Sequence, residues 1–203
     1  MIATAPLARH DEPREEDNIV QLHGVTWADY LHVLRIRGEH SAPRITYLDG
    51  TLQIMSPARD HETIKSKIAR LFEAWCLDSD VEFTAVGSWT IKKKRFKRGA
   101  EPDECYIFGP HDPAATKPHL AIEVEWTSGG IDKLEVYRKL GVREIWYWRR
   151  GHLQVYALRR ERYVAVARSL LFPKLDLPEL ARFVDRPTTS GAVREYRAAL
   201  RRR

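Results

Sequence analysis

His119-Leu-Ala-Ile-Glu-Val-Glu-Trp126 (HLAIEVEW) is the stretch on which the fold turns. Its alternation is that of a strand, with Leu120, Ile122 and Val124 facing one way and Ala121, Glu123 and Glu125 the other. A central strand does not ordinarily set two carboxylates on one face, because an unpaired buried carboxylate is costly and tends to neutralise. A third acid, Asp103, opens the strand-like run DECYIF (103–108), just after Pro102. Three acids near one sheet edge repel one another unless a cation sits among them, and a hard divalent cation suits oxygen ligands. The same pattern also suits an exposed edge strand with a wet polar face.

Downstream, Ser128-Gly129-Gly130 breaks the strand, and a short helix over 131–140 comes next with Gly141 as its C-cap. Asp132 and Lys133 lie on its first turn, and the turn folds the helix back so that the Lys133 ammonium reaches the acids. Acids, a metal and an amine suit phosphodiester hydrolysis, in which the metal activates water and the lysine offsets developing charge. Taken alone, Lys133 reads better as a solvated helix surface residue. EIWYW (144–148) then reads as a buried strand, succeeded by LQVYAL (153–158) and YVAVA (163–167).

Upstream, Thr26 opens a helix with Asp29 completing a capping box, and Gly38 ends it. Asp49-Gly50 predicts a two-residue hairpin turn between strands 44–48 and 51–55. Ile64, Ile68, Leu71, Trp75 and Cys76 form one face of a helix over 61–77. Strands are expected over 81–86 and 88–93, then the basic stretch KKKRFKRG (92–99). Helices and strands in this order make an α+β protein with a mixed sheet. The chain divides into a disordered arm over 1–18, a domain over 19–185 and a basic tail over 186–203, helical or frayed.

Composition narrows the classes. At 203 residues with 43% hydrophobic and 31% charged side chains, the chain holds a core and is not disordered throughout. No apolar run approaches a membrane span, and the N-terminus lacks the apolar region of a secretory signal. With only Cys76 and Cys105, a disulfide framework and a four-cysteine zinc site are excluded, and the cytoplasm is the expected compartment. The histidines other than His61 are scattered without metal spacing. The net charge is +6, but residues 143–203 carry 15 Lys/Arg against 6 Asp/Glu, while residues 1–142 carry 19 against 22. This asymmetry suits a polyanion partner, or an arginine-rich soluble tail.

Several of these motifs occur together in one order. Pro102-Asp103, Glu123-Val124-Glu125, Asp132-Lys133-Leu134 with Tyr137, and Gly141-Val142-Arg143-Glu144-Ile145-Trp146 resemble the Uma-type restriction endonuclease family of the PD-(D/E)XK nuclease superfamily. ITYLDGTLQIMSP (45–57) and Asp60-His61-Glu62 match the family's hairpin and first core helix. The resemblance spans about residues 26–170. It implies a restriction-endonuclease-like core, a mixed β-sheet flanked by helices, and Mg²⁺-dependent (or Mn²⁺-dependent) cleavage of DNA. It implies Asp103 and Glu123 as metal ligands. The superfamily's lysine belongs two residues after the second acid, where this chain has Glu125. Lys133 on the next helix is then the substitute, and Glu125 a third ligand or general base.

The expected site is therefore Asp103, Glu123, Glu125 and Lys133, converging on one or two cations, with His61 and Glu62 as accessory groups. Lys92, Lys93, Lys94, Arg95, Lys97 and Arg98, with the Arg-rich residues from Arg149 onward, are expected to flank bound DNA. A homodimer is expected because a duplex needs a cut on each strand, with surplus aromatics of EIWYW at the interface. The alternatives are a catalytically silent nucleic-acid-binding relative of the same fold, and a structural or interaction protein whose acids solvate an edge.

Overall fold

The computed structural model describes residues 16–110, 112–125 and 130–202. Residues 1–15 of the arm expected over 1–18, together with Trp126 and the start of the Ser128-Gly129-Gly130 turn, lie outside them, while Asp17 is buried and Asn18 opens a strand. The elements run β1 (Asn18–Leu22), α1 (Trp27–Arg37), β2 (Arg44–Leu48), β3 (Thr51–Ser56), α2 (Arg59–Asp78), β4 (Phe83–Ala85) and β5 (Ile91–Lys93). A 3₁₀ turn (Lys94–Phe96) leads to β6 (Arg98–Ala100), β7 (Glu104–Phe108), β8 (Leu120–Val124), α3 (Lys133–Leu140), β9 (Glu144–Arg149), β10 (His152–Arg159) and β11 (Arg162–Val166). Helices α4 (Leu177–Val184) and α5 (Thr189–Leu200) close the chain.

The strands form two sheets where the alternation suggested one. The first is antiparallel, in the order β1-β3-β2-β6-β5. The second, in the order β11-β10-β9-β8-β7-β4, is mixed because β8 and β9 run parallel. Asp49 and Gly50 both take positive φ, as the expected tight turn between β2 and β3 requires. The Thr26–Asp29 capping box also forms. Strand β1 was not expected. It is a five-residue edge strand with Val20 and Leu22 exposed, so it lacks a buried apolar face to mark it.

Strand alternation sorts the core into layers. Leu120, Ile122 and Val124 face α2, α4 and α5, in a cluster with Phe72, Trp75, Trp146 and Trp148. Ala121 faces the opposite way, with Cys105, Ile145 and Tyr147, into a layer shared with α3 and with Ile91 and Ala100 of the first sheet. Helix α1 covers the first sheet through Tyr30 and Leu34. Two expectations change here. Trp146, Tyr147 and Trp148 are buried within one chain, so they supply no surplus for an interface. The basic segment after residue 186 carries α5, which buries Ala192, Tyr196 and Leu200 in the main core.

One glycine is held by close approach. A Cβ on Gly99 would lie 2.1 Å from the hydroxyl oxygen of the buried Tyr30, whose ring stacks on Tyr47 at 5.0 Å. Gly99→Ala is therefore expected to destabilise the fold by about 2 kcal/mol or more through overpacking. Thermal melts check this, and an unchanged Tm would mean that the α1 contact yields freely.

Candidate active site

The site begins with register. In the antiparallel β7–β8 ladder Glu104 pairs with Ile122 and Cys105 with Ala121. Continuing by one residue sets Asp103 opposite Glu123, and directly opposed side chains share a sheet face. Both carboxylates are about 1% exposed. Lys133 reaches them because Asp132 caps α3, accepting from the amides of Leu134 (3.0 Å) and Glu135 (3.2 Å). That cap fixes Lys133 at the first helical position, where a side chain leans back toward the sheet.

The Lys133 ammonium bonds one oxygen of Glu123, and the Tyr137 hydroxyl donates to the other. Across the strand pair, Asp103 Oδ2 accepts from the Val124 amide at 2.7 Å and lies 3.0 Å from His61 Nε2. Arg44 Nη1 lies 2.7 Å from Asp103 Oδ1, yet that oxygen has no aligned hydrogen-bond donor. The Arg44 contact is thus a charge contact rather than a directed bond. His61 Nδ1 is 2.9 Å from Asp17 Oδ2, and Asp17 Oδ1 also takes the Ala58 amide at 2.8 Å.

The electrostatics divide the two acids. Burial raises the pKa of Glu123 and the charge of Asp103 adds to it, against the pull of Lys133 and Tyr137. Burial would raise Asp103 too, but Lys133, Arg44 and His61 hold it well below the usual carboxylate range. Burial disfavours the Lys133 ammonium, and the carboxylates of Glu123 and Asp103 outweigh it, so its pKa is raised. Lys133 is accordingly the positive charge between two buried negative ones.

Glu123 and Lys133 open onto a pocket of about 310 Å³, also lined by Asp17, Gln53, Glu125, Asp132, Tyr147 and Arg149. Glu125 does not join the other two acids. It is 37% exposed at the rim and paired with Arg149 at 2.5 Å, its neighbour on the parallel strand β9. His61 and Glu62 lie on the Asp103 flank and do not line the pocket. Glu62 pairs with Arg44 at 2.6 Å and Lys65 at 2.7 Å. Among the described residues, no group of three or more His, Cys, Asp or Glu side chains is arranged to hold a metal ion. Two opposed carboxylates and the unaligned Asp103 Oδ1 nevertheless suit a hard divalent cation in donor chemistry.

The basic stretch divides. Lys92, Lys94, Arg95 and Lys97 are exposed. Lys93 is half-buried and donates to the Leu140 carbonyl at 2.9 Å. Arg98 is buried and paired with Asp49 at 2.6 Å, and so turned away from any phosphate. Sequence reasoning missed Asp17 and Arg44, and it held Tyr137 only within the family motif and Arg149 only among the arginines expected beside DNA. A charged residue heading the hairpin strand RITYL was the available signal for Arg44.

A buried acid pair on one sheet face and a lysine at the start of the next helix, in a mixed α+β core, make a restriction-endonuclease-like protein. The family model described as "Uma2: Putative restriction endonuclease" matches residues 27–184, and the chain belongs to that family. Among solved structures, the chain is similar to one titled as a putative nuclease belonging to DUF820 from Anabaena variabilis. Identity is 14% and the TM-score 0.47, over 80% of this chain and 96% of the other. None of the curated proteins matches significantly. Among the described residues, no helix is long and apolar enough to cross a membrane.

Proposed function

We propose that this chain is a metal-dependent endonuclease that hydrolyses DNA phosphodiester bonds. The observation that carries the reading is the buried Glu123–Lys133 pair opening onto the pocket, with Asp103 directly behind it. Asp103 and Glu123 would hold Mg²⁺ or Mn²⁺. Bound there, the ion would supply a polarised water and charge neutralisation at the scissile phosphate.

The chain's own residues do the rest. Tyr137 and Lys133 fix the Glu123 carboxylate from two sides, so its direction is set before substrate arrives. On phosphate binding the Lys133 ammonium turns to a non-bridging oxygen and offsets its developing charge. Arg149 at the rim exchanges Glu125 for a second phosphate oxygen, which frees Glu125 to take the water's proton. His61 and Arg44 act through Asp103, holding it ionised. The remaining parts of the reading are a homodimer presenting two such sites to a duplex, and a cytoplasmic location.

Incubation of the protein with supercoiled plasmid is expected to give nicked and linear products with Mg²⁺ or Mn²⁺ and none with chelator. Salt-sensitive DNA binding without cutting under any metal would favour the catalytically silent relative instead. Light scattering with and without DNA tests the dimer, and a particle of about 24 kDa in both would remove it.

A further inference from the structure

We propose that the C-terminal end of α3 is an anchoring site for a nucleic-acid backbone phosphate, away from the cleavage centre and formed by Lys93, Lys117 and Arg143. The proposal rests on the nucleic-acid reading above and adds where a non-scissile phosphate is held.

Two side chains from separate segments meet at this end of the helix, and Arg143 acts electrostatically on one of them, Lys117. Lys93, from β5, places its ammonium 2.9 Å from the Leu140 carbonyl. Lys117, from the loop before β8, lies against Gly141, where a Cβ would stand 2.9 Å from its Nζ. Gly141 has φ +82, so the helix ends there in a conformation that leaves the ammonium room. Arg143 comes two residues later and is exposed.

Among the described residues none of the three forms an ion pair. Burial, then the charges of Lys93 and Arg143, lower the Lys117 pKa. Burial, Arg143 and Lys117 do the same to the neighbouring His119. No carboxylate is among the groups acting on either. Capping the helix explains only Lys93, since a helix C-terminus attracts a cation and that carbonyl contact supplies one. Among the described residues, Lys117 and Arg143 remain as mutually repelling cations with no ion-pair partner, and a phosphate oxyanion meets both ammonium and guanidinium geometry.

Placement agrees with a strand of nucleic acid. From Lys133 to Leu140 α3 rises about 10 Å, so this end stands clear of the cleavage centre on the same helix. The exposed Lys92, Lys94, Arg95 and Lys97 extend the positive surface beside it.

The test is fluorescence anisotropy of a labelled duplex oligonucleotide in chelator, with affinity tracked against salt. Lys117→Gln/Arg143→Gln is expected to reduce the slope of log K against log salt by about two and to weaken binding about tenfold at low salt. The charge-preserving Lys117→Arg/Arg143→Lys is expected to stay near wild type, with melting curves reporting the fold of both. An unchanged slope in the Gln variant, with wild type binding well, overturns this site and leaves the proposed function standing. Equal loss in both variants also overturns it, because packing rather than charge would then be at work. Absence of salt-sensitive binding by wild type overturns the nucleic-acid reading and this site with it.

Discussion

Glu123→Gln is expected to leave the fold in place and to lower phosphodiester cleavage by on the order of a hundredfold or more. The amide keeps the shape of the carboxylate and can still accept from Tyr137, but it loses the charge that Lys133 and a divalent cation share. Lys133→Met is expected to behave differently. It leaves Glu123 and Asp103 facing each other without the ammonium that offsets both. Breaking a buried pair from one side costs about 3 kcal/mol or more, so this variant should lose both stability and activity. Combining the two substitutions should recover much of the stability and none of the activity. Urea melts read one quantity and plasmid nicking the other. A folded Glu123→Gln protein that turns over like wild type would remove this pocket as the cleavage site.

How much of this was legible depends on the range of the interaction. The acid face of β8 was visible because a strand alternates with period two, and HLAIEVEW writes that period plainly. Lys133 was visible because Ser128-Gly129-Gly130 breaks the strand and starts a helix that folds back, while the Asp132 cap that fixes its position emerges only in the structure. Arg44 and Asp17 were hidden, since they reach Asp103 and His61 from the other sheet and from the segment before β1, and no local spacing encodes that approach. The partner of Glu125 was hidden for a related reason. The acid's face is the one alternation implies, but its partner is Arg149 on a parallel strand, a neighbour set only when β8 and β9 pair. The aromatic run in β9 was ambiguous between core and interface until α2, α4 and α5 were seen to cover one face of the sheet. In KKKRFKRG the charges look alike in sequence, yet Arg98 is drawn inward because β6 brings it to Asp49 and Glu135.

The hidden half of the network makes its own prediction, that stability falls as pH rises from about 7 to above 9. Burial opposes the His61 imidazolium, but hydrogen bonds and charge from Asp103 and Asp17 outweigh it and lift its pKa to about 9. An unfolded histidine titrates near 6.5. A group raised on folding contributes stability that is complete below its unfolded pKa and is lost as pH climbs through its folded one. The difference corresponds to about 3 kcal/mol. Denaturation at pH 6.5 and again above 9 should differ by about that amount. His61→Asn should abolish most of the difference and be less stable at the lower pH, because Asp17 and Asp103 then lose the cation between them. If wild type is equally stable at both, or if the variant keeps the same slope, His61 is neutral in the fold and Asp103 relies on Arg44 and Lys133 alone. Below pH 4 the sign reverses for Asp103. Its folded pKa is depressed, so its stabilising share holds above the ordinary carboxylate range and is lost as acid protonates it. The same carboxylate would thus limit stability at both ends of the pH range, through its own charge in acid and through its histidine partner's in base.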